Sequence, residues 1–401
     1  MKAAQLQQKA DWQAQKGCSY VLYIYSCLLA DIHELSQGLL SPPDDITYEW
    51  VLKEAPKLDK EMLMFIEGVG GEPTFPEWLK PLWISFRSLR DPNILRWIRQ
   101  LLLFCYKIEI EPTNEQLKVA QKAFEDTDAS IEVWNRYYIG NPDLRWLYAT
   151  ARQIISRITY GIDWKGINPS HGPGAVYPPE KPWNKSRFLT VYTTINERYP
   201  ITDYFCVVPT FWDQVVVEGD KYLSESSDIV ARLVAVPKDS RGPRIICVHP
   251  KEAIWIQQGC RTTLEQAITH PNSEAHGRIA FNDQGVNGGL ALSSSFDREF
   301  VTLDLSEASD RISCELVRSL FGDYTYSWLS CSRANKVRLL DGRDIELRKW
   351  APMGNALCFP VQSLVFYSLV RSGIRCRYGV NCNDVFVFGD DILFPSKYYD
   401  G

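Results

Sequence analysis

Val385-Phe386-Val387-Phe388-Gly389-Asp390-Asp391-Ile392-Leu393-Phe394-Pro395 is an apolar run broken at its centre by a glycine and two acids. Two β-prone tetrads around such a step read as strands joined by a tight hairpin turn. Glycine supplies the backbone freedom and the flanking residues anchor both strands to a core. The turn holds two adjacent carboxylates on a rigid support, and carboxylates so held are hard oxygen ligands suited to Mg²⁺ or Mn²⁺. Taken alone, the triplet reads first as an ordinary solvated β-turn.

A second acid in similar packaging changes that reading. Phe300-Val301-Thr302-Leu303-Asp304-Leu305-Ser306 is a strand-like run ending in an acid, and Ile312, Leu316, Val317 and Leu320 follow at helical spacing. If this strand lies beside the acidic hairpin, three carboxylates converge, enough to hold two divalent ions roughly 3.5–4 Å apart for in-line phosphoryl transfer. Between the acids, Val337, Leu339, Ile345 and Leu347 alternate with charged residues around Asp341-Gly342, a second hairpin signal. The turn-rich Ala351-Pro352-Met353-Gly354-Asn355-Ala356 precedes Val361, Leu364, Val365, Ser368 and Leu369, the apolar face of a helix with Pro360 near its first turn.

Strand-acid, helix, hairpin, glycine loop, helix, acidic hairpin: in that order the segment resembles the palm of viral RNA-dependent RNA polymerases, in particular the replicase beta subunits of single-stranded RNA bacteriophages (levivirus-like). Asp304-Leu305-Ser306-Glu307-Ala308-Ser309-Asp310 resembles the first palm motif, Met353-Gly354-Asn355 the second, and Gly389 to Pro395 the third. The similarity extends through Val236-Pro237-Lys238 to His249-Pro250 and through Asn282-Asp283-Gln284 with Asn287, and more weakly to His171-Gly172-Pro173-Gly174-Ala175.

The resemblance implies an α+β right-hand polymerase with fingers and an antiparallel palm sheet flanked by helices. Residues 1–170 would be a mainly helical N-terminal region with outer fingers, 171–290 fingers carrying a basic hairpin, and 291–401 the palm. It implies Asp304, Asp390 and Asp391 as catalytic residues, the same three with Leu305 as ligands of two Mg²⁺ or Mn²⁺ ions, and Ser309, Asp310, Gly354 and Asn355 as nucleotide-binding. Asp310 and Asn355 would reach the ribose 2′-hydroxyl. A reverse transcriptase would be expected to carry an aromatic steric gate where this chain has Ser309-Asp310. The implied function is template-directed RNA synthesis from NTPs in viral genome replication, with RNA template and product as partners and host translation factors suggested by the family. The alternatives are a related palm enzyme, such as a reverse transcriptase or nucleotide cyclase, and a non-catalytic RNA-binding fragment. In the family further palm motifs and a thumb follow. Here the sequence ends ten residues after Asp391, so the apolar face of the acidic hairpin is expected to be partly exposed.

Arg232 to Ile246 reads as two strands joined by a basic turn. By itself this is a solvated hairpin. By resemblance it is a roof over the nucleotide channel, with Lys238 and Arg244, then Arg241 and Arg232, binding phosphate oxygens. A net charge of −5 over 401 residues excludes a uniformly basic RNA-binding coat, so RNA binding would need local positive potential. Residues 232–251 offer five basic groups against Asp239; Lys181, Lys185 and Arg187 around Trp183 could line a template path by combining charge with stacking, but read first as a proline-rich surface loop. With 45% apolar residues and 13 tryptophans the chain can bury a large core. Its 11 cysteines show no CxxC spacing, which argues against a zinc site or disulfide framework and fits the reducing cytoplasm of a bacterial host. The uncharged stretches Gly17–Ala30 and Ala351–Val370 carry too many polar or helix-breaking residues for a signal peptide or membrane span. Upstream, helices are expected over residues 78–89, 94–107, 115–124 and 144–158.

Overall fold

The computed structural model describes the backbone of residues 2–43, 45–108, 112–205, 223–239 and 242–399, and the side chains of all of these except residues 2–18 and 239. The longer helices are α1 (Lys2–Leu35), α2 (Ala55–Ile66), α3 (Lys80–Leu89), α4 (Pro92–Leu103), α5 (Asn114–Trp134), α6 (Arg145–Thr159), α7 (Lys251–Thr269), α8 (Gly285–Asp297), α9 (Cys314–Ser330) and α10 (Cys358–Tyr378). The strands are β1 (Thr190–Tyr192), β2 (Ser224–Ser226), β3 (Val230–Asp239), β4 (Gly242–Val248), β5 (Phe300–Asp304), β6 (Lys336–Arg338), β7 (Asp344–Glu346), β8 (Phe386–Phe388) and β9 (Asp391–Pro395). Helices and small sheets ordered β1-β2, β4-β3-β6-β7 and β5-β9-β8 make the chain α+β. It divides into two compact units, Met1–Leu117 with Val236–Arg244, and Lys118–Ala235 with Ile245–Gly401.

In the first unit, α4 shows how sequence dictates the packing. Asp91 caps it by accepting from the Asn93 N–H at 2.8 Å, and Pro92 occupies the first turn, where an N–H would have no helical partner. Ile94, Ile98, Leu101 and Leu102 form its buried stripe, packed against α2 and α3. The helix ends at Leu103, short of the expected Lys107. Arg99, which interrupts the apolar pattern, reaches the buried Asp59 of α2 at 3.0 Å.

The second unit is built on α6 packed against α9 and α10. In its three-stranded antiparallel sheet β9 lies between β5 and β8. α10 packs against β8, and α8 against β5 and β9. The outer edge of β8 is paired too: Val387 N–H donates to the Arg278 carbonyl at 2.8 Å, and Ala280 N–H to the Val387 carbonyl at 3.2 Å. Val387, Ile392 and Leu393 are consequently buried. The expectation of a partly exposed hairpin face is therefore wrong, because helices and the Arg278–Ala280 segment supply the cover.

Candidate functional site

β8 and β9 are joined by the two-residue turn Gly389-Asp390, with Asp391 the first residue of β9. Gly389 has φ +66°, as the first position of a tight hairpin turn of this kind requires, and a Cβ there would lie 2.6 Å from Phe359 Cε2. Its N–H donates to Ser363 Oγ of α10 at 3.2 Å. On the other side of β9, Asp304 is the direct cross-strand partner of Asp391. Residues opposite each other in an antiparallel pair project from the same face with Cβ atoms about 4.5–5.5 Å apart. The last residue of β5 and the first of β9 thus set two carboxylates side by side at one end of the sheet, with the exposed Asp390 on the adjoining turn.

Like charges directly opposite are unfavourable, and a cation between them would relieve the repulsion. The donor set is one a hard divalent ion accepts. Asp391 Oδ2 accepts from Gln284 Nε2 at 2.8 Å, while Asn287 Nδ2 donates to the Asp391 carbonyl at 3.1 Å. The polar residues at the start of α8 therefore hold the acid that begins β9. Among the described residues no three His, Cys, Asp or Glu side chains are drawn together into a metal-holding group. The register brings two acids together at this end of the sheet, and no third acid, histidine or cysteine among the described residues joins them in such a group.

After β5 the chain enters a tight loop. Glu307 adopts φ +55°, accepts from Thr127 Oγ1 of α5 at 3.2 Å, and pairs with Arg311 at 2.7 Å. Asp310 follows in a short 3-10 turn, its Oδ1 sealed from solvent and 3.4 Å from Lys349 Nζ, an ion-pair distance rather than a well-formed hydrogen bond. Burial raises the Asp310 pKa and Lys349 opposes the rise. Ser309 hydrogen-bonds the Cys358 thiol, whose pKa burial pushes up to about 12, with Asp310 and Asp390 close enough to add to the shift. Cys358 is thus a common neighbour of the first and third motifs, at the N-terminus of the helix that follows the second.

Gly354 and Asn355 shape that second motif. Gly354 has φ +109°, and a Cβ there would lie 2.1 Å from the Cys247 carbonyl oxygen, so only glycine lets the loop tuck under the end of β4, where Cys247 N–H donates to the Met353 carbonyl at 2.8 Å. Asn355 is buried and its Oδ1 accepts from the Leu357 N–H at 2.8 Å, initiating α10.

The basic residues fare differently. Arg232 is exposed, 5.8 Å over the Tyr177 ring and opposite Arg338 in the parallel β3–β6 pair. Lys238 and Arg244 are exposed and belong to the first compact unit. Arg241 lies outside the described residues. Lys251, counted among five basic groups available to RNA, is instead buried and paired with Glu180 at 2.8 Å. Lys185 is buried as well, donating to the Gly172 carbonyl at 3.3 Å and to that of Gly174 at 2.5 Å. It braces the His171–Ala175 loop rather than facing solvent. Among the described residues no helix is long and apolar enough to cross a membrane.

Residues 209–400 match the family model described as RNA replicase, beta-chain. That part of the chain is similar to the RNA replicase beta-chain family. Over 166 residues it is 36% identical to the RNA-directed RNA polymerase subunit beta of Qbeta virus (strain MX1), covering 41% of this chain and 27% of that protein. It is 32% identical over 162 residues to the RNA-directed RNA polymerase beta chain of Escherichia phage MS2 (40% and 28%), and 34% over 168 to that of Enterobacteria phage GA (41% and 29%). The aligned part spans less than a third of these replicase relatives' own length. The replicase match takes in all three acids, Ser309, Asp310, Gly354 and Asn355, and also Lys349. It starts after Phe124, Thr127 and Asp128 of α5, which hold the Glu307–Asp310 loop and the Arg348–Lys349 backbone. The sequence reading passed over these α5 residues and Lys349. The available signal was an acid, Asp128, on the stripe that Phe124 and Ile131 mark as buried.

Proposed function

We propose that residues 291–401 form the palm of a phage-type RNA-directed RNA polymerase, and that its chemistry is template-directed joining of NTPs into RNA. The observation that supports this best is the register that sets Asp304 beside Asp391, with Asp390 on the adjoining turn. Asp304, Asp390 and Asp391, with the carbonyl oxygen of Leu305, would hold two Mg²⁺ ions, or Mn²⁺ in their place. Such ions, when bound, lower the pKa of an attacking 3′-hydroxyl and neutralise charge on the leaving pyrophosphate.

The chain's own residues supply positioning. Asp310 accepts a hydrogen bond from the ribose 2′-hydroxyl, with the Asn355 amide beside it; Ser309 and Gly354 hold the loops that carry them. Arg232, Lys238, Arg241 and Arg244 are the proposed phosphate contacts, guanidinium groups being suited to bidentate binding. An RNA template and product complete the reading.

The test is a calorimetric titration of Mn²⁺ with GTP into the chain and its Asp390→Asn variant. A thermal melt of the variant checks that it is folded, and its Mn²⁺ affinity drops at least about tenfold, the loss of an interaction with a charged group. An unchanged affinity would return the triplet to being a turn.

A further inference from the structure

Lys349 is fully buried, and a lone ammonium there is strongly unfavourable, so its partners decide why it is kept. Its Nζ lies 3.4 Å from Asp310 Oδ1, 3.4 Å from the Phe124 carbonyl oxygen and 3.5 Å from the centre of the Phe124 ring. The backbone beneath it is pinned as well. Asp128, itself 1% exposed, accepts from the Arg348 N–H at 3.1 Å and the Lys349 N–H at 3.0 Å. The ammonium therefore occupies a point fixed by α5 and by the chain leaving β7, and Asp310 meets it from the loop after β5.

Asp310 is held asymmetrically. Oδ1 is sealed inward against Lys349, while the side chain as a whole keeps 26% of its exposure, so its other edge faces out. Glu307 and Asp128 are like charges close enough to disfavour its ionised form. Without a cation at this point the carboxylate has both a reason to turn and a reason to lose its charge.

We propose that Lys349 is the positioning residue for Asp310, holding one carboxylate oxygen inward so that the other is presented to the ribose 2′-hydroxyl of a nucleoside triphosphate. The proposal rests on the reading of Asp310 as the ribose contact. Selection of ribose over deoxyribose then depends on a lysine that touches no ligand and on a helix ahead of the family-matched span.

The experiment measures Kd of the chain for GTP and for 2′-deoxy-GTP with Mn²⁺, and takes their ratio. Lys349→Met keeps the stem over Phe124 and removes the charge; Asp310→Asn tests the parent reading. The wild-type chain prefers GTP by about tenfold or more, the scale of one hydrogen bond to a charged group, and both variants bring the ratio to about one with deoxynucleotide affinity little changed. If Asp310→Asn flattens the ratio and Lys349→Met leaves it intact, the positioning role is overturned and the ribose contact stands. If Asp310→Asn also leaves the ratio intact, the ribose reading itself fails. Should Lys349→Met melt too early to titrate, thermal melts of the two single variants and the double variant replace the ratio. The pairing requires the double variant to melt above Lys349→Met, because removing Asp310's charge relieves the stranded carboxylate; additive losses overturn it.

Discussion

Replacing Gly354 with alanine tests whether the second motif is shaped by packing. Two costs add at this position. A side chain at φ +109° is strained whatever the space, on the order of 1–3 kcal/mol. The new Cβ would also lie 2.1 Å from the Cys247 carbonyl oxygen and 3.1 Å from its carbon, atoms of the backbone that cannot rotate away. Relief requires the loop to withdraw from β4, breaking the 2.8 Å bond from Cys247 N–H to the Met353 carbonyl, which leaves the N–H of the buried Cys247 unpaired at roughly 1–3 kcal/mol. The expected loss is about 2–6 kcal/mol. At about 2–4 °C per kcal/mol for a large domain, the melting point falls by about 4–24 °C. Gly342→Ala is the control: φ there is +88°, but nothing lies within 4 Å of the added Cβ, so only the backbone term remains. Melting both variants by circular dichroism separates clash from strain. A Gly354→Ala melting point within about 3 °C of the control's would refute the close approach of loop and strand.

Burial holds the His249 ring at about 4, below its ordinary 6.5, and neither ring nitrogen has a hydrogen-bond partner among the described residues. The unfolded chain therefore takes up the proton first: stability is complete above about pH 6.5 and is lost as pH falls toward 4, by at most ~1.4 kcal/mol per pH unit. His249→Phe should flatten urea-melt stability between pH 7 and pH 5, and identical slopes would show that the ring is charged in the fold. Among the thiols, Cys27 and Cys376 are exposed, whereas Cys247, Cys260 and Cys331 are buried and held above their ordinary pKa by that burial. Iodoacetamide at pH 8, read by peptide mass mapping, should label the first two within minutes and the other three only after unfolding.

The acidic hairpin was legible because its signals are local: apolar tetrads, a glycine where the turn needs positive φ, and a length that allows no other pairing. The strand ending at Asp304 and the helices following the first two motifs were legible on the same grounds. The brace around Asp310 was not. Lys349 and Asp128 are single charges in sequence, and only the packing of α5 against the chain leaving β7 brings each its partners, Asp310 and Phe124 for Lys349 and the Arg348–Lys349 backbone for Asp128. Lys185 and Lys251 were misjudged in the same direction, as solvent-facing cations, because the carbonyls of Gly172 and Gly174 and the carboxylate of Glu180 come from elsewhere in the chain. Gly354 read only as part of a turn-rich stretch ahead of a helix, and the Cys247 backbone against it belongs to a strand far upstream.

The Gly389-Asp390 turn contains the minimum of chain that can reverse a strand, and this gives the hairpin a property its neighbours lack. Side chains alternate between faces along β9, so one added residue that slipped its pairing with β5 by one step would carry Asp391 to the face opposite Asp304 while leaving composition, charge and hydrophobicity almost untouched. The turn works as a ruler. Exposed loops such as residues 67–71 can absorb an extra residue at the surface; here the number of residues, as much as their identity, decides which face Asp391 takes.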